Sequence, residues 1–207
     1  MRVIAGSAKG RPLKSVPGDT TRPITDRVKE AVFNILQPEL DGCEMLDLFA
    51  GTGSVGIEAL SRGAARVAFV DKSPRAVKTV RENLATTRLA DRATVVRDDS
   101  FRYLQRASDK FDIVYVAPPQ YAGLWEQALR ALDREESPAA DLVVVQIHPK
   151  EYSPQSLQYL ELIDERRYGS TVVLMYARTG GAVGQDETRE SDEAEGQDRD
   201  PQSAPDS

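Results

Sequence analysis

The middle of the chain alternates short apolar runs with segments whose apolar residues recur every three or four positions. A short apolar run next to a segment of helical spacing is typical of a strand next to a helix. The predicted strands cover residues 45–50, 66–71, 93–97, 111–117 and 142–147. The predicted helices between them cover residues 54–62, 74–84, 100–106 and 121–132. These repeated strand–helix units predict an α/β fold with a parallel, doubly wound sheet and right-handed crossovers.

Two further apolar runs, at residues 157–163 and 171–177, follow and are joined by a turn around Tyr168 and Gly169. They predict a pair of antiparallel strands at one edge of the sheet, an addition that mixed sheets commonly carry. The complete sheet is therefore predicted to have seven strands, most of them parallel.

The segment before the first strand has a different pattern. Residues 25–36 place their apolar side chains on one face, which predicts an amphipathic helix. Thr25 or Asp26 is the predicted N-cap, and Pro38 is predicted to end the helix. Upstream, residues 2–18 hold glycines and prolines among four basic side chains, which indicates a short hairpin or arm.

Charge divides the chain into three parts. The basic residues of the first thirty positions, against three acidic ones, are Arg2, Lys9, Arg11, Lys14, Arg22, Arg27 and Lys29. Residues 180–207 hold nine acidic and two basic residues, a formal charge of −7, which leaves residues 1–179 at +1 from the total of −6. That last segment has almost no apolar side chains, so we predict that it is disordered. We therefore expect an N-terminal basic arm and helix over 1–40, one domain over 41–179 and an acidic tail over 180–207.

Composition excludes several classes of protein. A single cysteine, Cys43, rules out a disulfide framework and is expected to be a small buried residue. With only one histidine, His148, the chain has too few soft ligands for a structural zinc site, and no metal site is expected. No apolar run approaches the ~20 residues that span a bilayer, and no signal peptide is evident. We expect a cytoplasmic protein without membrane contact.

The first predicted strand leads into a glycine motif. Gly51, Gly53 and Gly56 form G-x-G-x-x-G at the start of a predicted helix. Glycines in this setting permit a tight turn and a close approach of the backbone to a ligand. Asp71 ends the next strand, where an acid accepts hydrogen bonds from two ribose hydroxyls. The combination predicts a site for an adenosine-containing cofactor, and the alternative is an ordinary glycine turn with a surface Asp.

Acidic residues at two positions bear on the choice of cofactor. Asp47 lies in the first strand, where its carboxylate suits the ammonium group of S-adenosylmethionine and would repel a pyrophosphate. Asp98, Asp99 and Ser100 end the third strand, where an acid can accept the adenine amino group, with a helix N-cap as the alternative role. These positions favour S-adenosylmethionine over a dinucleotide.

The fourth strand ends in Ala117-Pro118-Pro119-Gln120-Tyr121. In a doubly wound sheet this end borders the crevice where the strand order reverses. Two prolines fix φ and remove two N–H donors, so the segment offers rigid carbonyl acceptors. A wall of acceptors suits an amino group that is about to be alkylated, although two prolines also serve as a plain strand terminator.

These motifs resemble those of the RsmD family, the bacterial 16S rRNA (guanine-N2)-methyltransferases. The resemblance runs from Met1 to about Ala177 and rests on MRVIAGSAKGRPLK, TRPITDRVKEAVFNIL, LDLFAGTGSVGIEALSRGA, VAFVDKSPRAVKTVRENL, the Asp98-Asp99 pair and FDIVYVAPPQY. It implies a Rossmann-like class I methyltransferase sheet, S-adenosylmethionine as cofactor and a guanine of 16S rRNA as methyl acceptor. The implied partner is 16S rRNA or the small ribosomal subunit, and we expect a monomer.

The resemblance also implies roles for individual residues. The residues predicted to hold the cofactor are Asp47, Gly51, Gly53, Asp71, Asp99 and Ser100. The residues predicted to contact RNA are Lys9, Arg11, Lys14, Arg22 and Arg27. Arg22, Thr25 and Arg27 are implied to lie over the methionine end of the cofactor, where the RNA enters. The predicted catalytic segment is Ala117, Pro118, Pro119, Gln120 and Tyr121.

One segment departs from the family. The family signature there is an Asp or Asn, two prolines and an aromatic, whereas this chain has Ala117 and Gln120 in the outer positions. The acid normally accepts a hydrogen bond from the target amine, and the aromatic stacks on the base. The Pro118 carbonyl remains as an acceptor, and Tyr121 is available for stacking one position later. Gln120 or Gln146 is a candidate for the missing amide acceptor. By analogy with the loss of one preorganised catalytic hydrogen bond, the rate falls by about 10²–10³.

Three other functions stay open at this point. The first is methylation of an exocyclic amine in another RNA or in DNA, because a basic arm suits phosphates but carries little base information. The second is an RNA-binding or assembly module without catalysis, which Ala117 suggests. The third, an NAD-dependent oxidoreductase, ranks last because it gives the two prolines and the basic arm no role.

Overall fold

The computed structural model of the protein describes residues 1–18 and 24–179, and a seven-stranded sheet forms its centre. The strands are β1 (Glu44–Asp47), β2 (Arg66–Asp71), β3 (Ala93–Arg97), β4 (Phe111–Val116), β5 (Ala139–Ile147), β6 (Leu160–Tyr168) and β7 (Thr171–Arg178). Their order across the sheet is β3-β2-β1-β4-β5-β7-β6. Strands β1 to β5 run parallel, and β7 runs antiparallel to both β5 and β6. The predicted seven-stranded α/β sheet, mostly parallel with an antiparallel edge, is confirmed.

Five helices cover the two faces of this sheet. They are α1 (Asp26–Leu40), α2 (Ser54–Arg62), α3 (Pro74–Thr87), α4 (Ser100–Arg106) and α5 (Leu124–Leu132). One apolar core joins α1, α2 and α3 to the sheet, and a second core on the opposite face joins α4 and α5 to it. The helices therefore change face between β1 and β4, which is also where the strand order reverses.

Side chains at the predicted positions start the helices. Thr25 is the N-cap of α1, because its hydroxyl accepts the Val28 N–H at 3.3 Å. Pro74 lies in the first turn of α3, where its missing N–H has no intrahelical partner to lose. Three helix boundaries differ from the prediction, and one of them is the end of α3, which reaches Thr87 rather than residue 84. Helix α1 continues through Pro38 to Leu40, because burial of Leu40 in the core offsets the single backbone hydrogen bond that a proline so near the end removes.

Helix α5 begins at Leu124 rather than at Tyr121. Tyr121 has φ of +61° and Gly123, the N-cap, also has φ of +61°, so the chain turns through left-handed conformations before the helix can start. The predicted helical boundary at Tyr121 is wrong for this reason.

The edge strand β6 begins three residues later than predicted and ends five residues later, at Tyr168. Its sequence is largely polar, with Arg166 and Arg167 paired to Asp164 and Glu165, so the hydrophobic pattern gives little sign of it. Residues 157–159 belong instead to a turn that Asp133 holds through two backbone N–H groups. Strand β5 is longer than predicted, at Ala139–Ile147, and β1 is shorter, at Glu44–Asp47. The turn at Gly169 lies between β6 and β7, as predicted.

The basic arm is a short antiparallel ribbon packed against the domain. Arg2 pairs with Pro12, and the ribbon buries Val3, Ala8 and Leu13 in the same core as α1, α2 and α3. Cys43 is buried, as predicted. None of the helices in the described part of the chain is long and apolar enough to cross a membrane.

Candidate functional site

The reversal of strand order opens a crevice at the carboxyl ends of β1 and β4. Neighbouring parallel strands whose following helices lie on opposite faces leave such a gap between them. Asp47 ends β1, Asp71 ends β2, and Ala117 directly follows β4. The fold therefore brings three of the predicted site positions to one edge of the sheet.

The glycine loop between β1 and α2 forms one wall of this crevice. Gly51 has φ of +54° and Gly53, the N-cap of α2, has φ of +75°. An added Cβ at Gly51 would meet nothing closer than 4.0 Å, so the loop presents bare backbone to open space. A Cβ at Gly56 would lie 2.3 Å from the Phe69 ring, so the third glycine of the motif lets α2 pack closely on β2. All three glycines thus have the geometry that the motif predicts.

Asp71 holds this loop through hydrogen bonds and can accept further ones. One carboxylate oxygen accepts the Gly51 N–H at 2.9 Å, and the other accepts the Ser73 N–H at 2.8 Å. Each carboxylate oxygen has more than one lone pair, so both can take a further donor such as a ribose hydroxyl. Gly51 and Asp71, which are 20 positions apart in the sequence, are thus in direct contact in the fold.

Asp47 is an almost completely buried carboxylate, with 2% of its surface exposed. One of its oxygens accepts the Gly56 N–H at 3.1 Å, near the N-terminus of α2. Burial raises the pKa of Asp47 from 3.8 to about 7; the Gly56 hydrogen bond opposes this rise and the charge of Asp71 adds to it. A cation placed beside Asp47 would favour the ionised form, which is the interaction expected for an ammonium group.

The two acids after β3 have different roles. Asp98 is buried and pairs with Arg102 and Arg106, and these cations lower its pKa although burial alone would raise it. Asp99 is the N-cap of α4, and one of its oxygens accepts the N–H groups of residues 101 and 102. Ser100 donates its hydroxyl to the Leu48 carbonyl at 2.7 Å, which ties α4 to the strand end beside the glycine loop. The N-cap interpretation therefore applies to Asp99, whose second oxygen is left for a ligand.

The segment after β4 lies beside a hydrogen-bonded pair of side chains, one buried and one half-buried. Tyr115 is fully buried in β4 and donates its hydroxyl to the Gln146 Oε1 at 2.7 Å. Gln146 is next to Ala117 in the register that continues from Val116 and Val145. Gln120, by contrast, is exposed. Of the two glutamines predicted as acceptors, only Gln146 is fixed in the crevice wall.

Two basic side chains of the arm contact helix α3. Arg11 donates to the Thr86 carbonyl at 3.2 Å, and Lys14 pairs with Glu82 at 2.8 Å. Lys9 and Arg27 are exposed, whereas Arg22 lies outside the described residues. Arg11 and Lys14 thus lie against α3, and contact of these basic residues with RNA stays a prediction.

Lys29, a basic residue of α1, is buried. Its side chain is 1% exposed and pairs with Glu58 at 3.3 Å, and it donates to the Arg2 carbonyl at 2.7 Å. Glu58 also pairs with Arg62 at 2.9 Å and accepts the N–H groups of residues 4 and 5. A buried cation with these partners is structural, because it holds the arm to α1 and α2.

Asn83 is a site residue that the sequence did not single out. It is fully buried in α3, accepts the Lys14 N–H at 2.8 Å and donates to the Lys14 carbonyl and to the Thr52 carbonyl. One side chain thus ties the basic arm to the glycine loop. Its only signal in the sequence is a polar residue on the apolar face of a helix. Within residues 1–18 and 24–179, no cluster of His, Cys, Asp and Glu suited to a metal ion is present.

Comparison with known proteins gives consistent matches. Residues 1–177 match the family model described as Conserved hypothetical protein 95. The YlbH protein of Bacillus subtilis is 41% identical over 184 residues, which cover 87% of this chain and 100% of that protein. Ribosomal RNA small subunit methyltransferase D of Haemophilus influenzae is 38% identical over 135 residues, 64% of this chain and 70% of that protein. The solved structure of yhhF from Escherichia coli superposes with a TM-score of 0.75 at 34% identity, covering 86% of this chain and 97% of that one.

Proposed function

The chain belongs to the family described as Conserved hypothetical protein 95, and from this premise we propose that it transfers a methyl group from S-adenosylmethionine to the exocyclic N2 of a guanine in 16S rRNA. The resemblance to the RsmD family noted in the sequence is confirmed by this membership. The observation that carries the proposal is the convergence of the glycine loop, Asp71 and Asp47 at the crevice beside β4.

The residues present suit this cofactor. The bare backbone at Gly51 leaves room for the adenosine, and Asp71 offers acceptors to its ribose. Asp99 has one oxygen left to accept the adenine amino group, and the buried Asp47 suits a cationic amino-acid end. When bound, S-adenosylmethionine supplies a methyl group on a positively charged sulfur. No pyrophosphate is expected in this place, since Asp47 would repel it.

The chain's own contribution to the reaction is to position the target amine. The Pro118 carbonyl lies at the carboxyl end of β4 and accepts a hydrogen bond from the amino group, which orients the nitrogen lone pair. Gln146, whose amide oxygen accepts the Tyr115 hydroxyl, lies on the strand beside β4 and is the candidate for the missing side-chain acceptor. The proton of the amine leaves to water, so no dedicated base is required. The basic residues of the arm contact phosphates, which position the RNA without reading its sequence.

The proposal is tested by methyl transfer from labelled S-adenosylmethionine to undermethylated small ribosomal subunits, followed by mapping of the modified base. Label at the N2 of one guanine of 16S rRNA is the expected result. Asp71→Ala should abolish cofactor binding in calorimetry and transfer with it, while Asp112→Ala, at the opposite end of the sheet, serves as the control. Label on another nucleic acid would assign a different acceptor. Binding of subunits without any transfer would favour the second candidate, a non-catalytic RNA-binding module, which Ala117 supports.

The partner, assembly and location follow from this function. The protein acts on the small ribosomal subunit or its RNA in the cytoplasm, and it acts as a monomer. The division into a basic arm with its helix, a methyltransferase domain and an acidic tail belongs to the same proposal, and residues 180–207 lie outside the described residues. Light scattering of the purified protein should give the mass of one 22.8 kDa chain.

A further inference from the structure

Positive charge is concentrated in a second stretch of the chain, outside the arm. Residues 72–97, which contain α3, β3 and the turn between them, hold seven basic and two acidic residues, a formal charge of +5. Residues 1–14 of the arm hold four basic residues and no acidic one. Since residues 1–179 as a whole carry +1, the remainder of that range carries −8. The positive charge of the domain therefore comes mainly from these two segments.

The fold joins the two segments into one surface. Arg11 of the arm donates to the Thr86 carbonyl of α3 at 3.2 Å. Lys14 of the arm and Lys78 of α3 both pair with Glu82, at 2.8 Å and 4.0 Å. The basic side chains of the arm therefore continue directly into those of α3.

A groove of about 690 Å³ lies between α3 and β3, the last strand on one side of the sheet. Its lining residues on α3 are three or four positions apart, so they share one face of the helix. Val77 and Ala85 supply apolar surface. Lys78 and Arg81 of α3 and Arg97 of β3 line the groove with positive charge, and all three side chains are exposed. The groove thus combines an apolar part with three cations that are accessible to a ligand.

The opposite edge of the sheet carries charge in a different way. On β6, Arg166 and Arg167 pair with Asp164 and Glu165, so the two signs are mixed and cancel. Mixed charges of this kind are sufficient to prevent edge-to-edge pairing of strands. Among the described residues that line the groove at β3, Glu82 is the one acid against three cations. Protection of a sheet edge does not require such an excess of one sign, whereas binding of a polyanion does.

We propose that α3 and the edge of β3 form a second RNA-binding surface, continuous with the arm, in which Lys78, Arg81 and Arg97 contact the phosphate backbone of the substrate RNA. The inference rests on the proposed function, because that function supplies the RNA. Helix α3 begins at the cofactor site, where the Ser73 N–H donates to Asp71 at 2.8 Å, so a strand that reaches the crevice can continue along the helix. Contacts to phosphates position the RNA without reading its sequence.

The salt dependence of RNA binding tests this proposal. The groove variant combines Lys78→Ala, Arg81→Ala and Arg97→Ala, and its binding to a fluorescently labelled RNA hairpin is measured by anisotropy. Each lost phosphate contact lowers the log–log salt slope by about 0.7–0.9, so three lost contacts should lower it by roughly 2–3. Between about 50 and 200 mM salt, the wild type should therefore lose roughly 20- to 40-fold more affinity than the groove variant.

Two further variants separate this site from net charge and from folding. The matched control combines Arg130→Ala, Arg166→Ala and Arg167→Ala, which removes three exposed cations from α5 and β6 and should keep the wild-type slope. The charge-retaining variant exchanges lysine and arginine at the three groove positions and should also keep it. The melting temperature and the affinity for S-adenosylmethionine should be the same in all of these proteins.

The arm and the groove are separable in the same assay. Adding the groove substitutions to Arg11→Ala and Lys14→Ala should lower the slope further, because the two sets of cations contact different phosphates. A wild-type slope in the groove variant, or an equal fall in the matched control, would overturn the proposal. A dimer of the wild type in light scattering that the groove variant does not form would also overturn it, since the groove would then be an interface between copies of the chain.

Methyl transfer to small ribosomal subunits, measured separately, distinguishes the two proposals. A reduced slope in the groove variant together with no transfer by the wild type would refute the proposed function and leave the RNA-binding surface in place. Transfer by the wild type together with an unchanged slope in the groove variant would refute the surface and leave the proposed function in place. Absence of RNA binding by the wild type would refute the surface directly.

Discussion

Asp47→Asn is the substitution that tests the electrostatics of the crevice most directly. Asp47 is 2% exposed, and burial raises its pKa from 3.8 to about 7, with the Gly56 hydrogen bond opposing the rise and the charge of Asp71 adding to it. Asparagine has nearly the same shape and retains an oxygen that can accept the Gly56 N–H. The variant therefore removes the ionisation of this group and little else.

The expected magnitude follows from the difference between the two pKa values. A carboxyl group whose pKa is raised by folding keeps its proton in the folded state after the unfolded chain has lost it. Between pH 3.8 and about 7 the folded protein therefore binds one proton more, and its stability falls by about 1.4 kcal/mol for each pH unit. Two such units lie between pH 5 and the folded pKa. From pH 5 to pH 8 the wild type should thus lose about 3 kcal/mol that Asp47→Asn does not lose.

Urea unfolding of both proteins at pH 5 and pH 8, without cofactor, measures this difference. Contributions from titrating groups that do not interact with Asp47 cancel between the two proteins, so the advantage of the variant should grow by about 3 kcal/mol. The melting temperatures should diverge correspondingly by roughly 5–11 °C. Asp112→Asn is the control, because the Asp112 carboxylate accepts the Glu44 N–H at the opposite end of β1, at an exposed position. Parallel pH dependences in the wild type and Asp47→Asn would refute the reasoning.

Three further outcomes are expected. Replacement of Arg11 and Lys14 by Ala should weaken RNA binding and reduce its log–log salt slope by about 0.7–0.9 per lost phosphate contact, with cofactor affinity unchanged in calorimetry; an unchanged slope would place the RNA elsewhere. Ala117→Asp should raise kcat by up to about 10²–10³ with little change in RNA affinity, which single-turnover methylation would measure. A fall in kcat would mean that Gln146 already fills that place. Deletion of residues 180–207 should leave the melting temperature within about 2 °C, the shift that a change below 1 kcal/mol produces, and a larger loss would show that the segment docks.

The sheet and the cofactor loop were predictable because local patterns determine both. Short apolar runs mark the strands, and a spacing of three or four residues marks the helices. Gly51 and Asp71, which the motif pairs, are joined by a direct hydrogen bond in the fold. Strand β6 was placed three residues too early because an edge strand buries one face at most and carries paired charges instead of an apolar run. Helix α1 passes Pro38 because tertiary burial of Leu40, which no local pattern shows, outweighs the local preference.

The polar residues that hold the site together were not predictable from local pattern. Asn83 contacts Lys14 and Thr52, which lie far from it along the chain, so its role depends wholly on the fold. The same holds for Glu151, which meets Tyr121 across thirty positions of sequence. The burial of Lys29 likewise depends on the fold, which places this basic residue against Glu58.

Ala117 stands where the family has an acid, so this position lacks a side-chain acceptor for the target amine. A residue of the neighbouring strand β5 is a candidate to replace it. Gln146 Oε1 accepts the Tyr115 hydroxyl at 2.7 Å, and a carbonyl oxygen has a second lone pair, so this contact orients the amide without exhausting it. Gln120 is exposed and follows two prolines. A hydrogen bond to its amide oxygen would require ordering of a free side chain, which costs conformational entropy. For Gln146 this ordering has already taken place on folding. Preorganised acceptors lower a barrier more than flexible ones, because no reorganisation remains at the moment of reaction. Of the two glutamines, Gln146 is therefore the better candidate for the missing acceptor, and a fall in kcat on Ala117→Asp is the result that would assign this role to it.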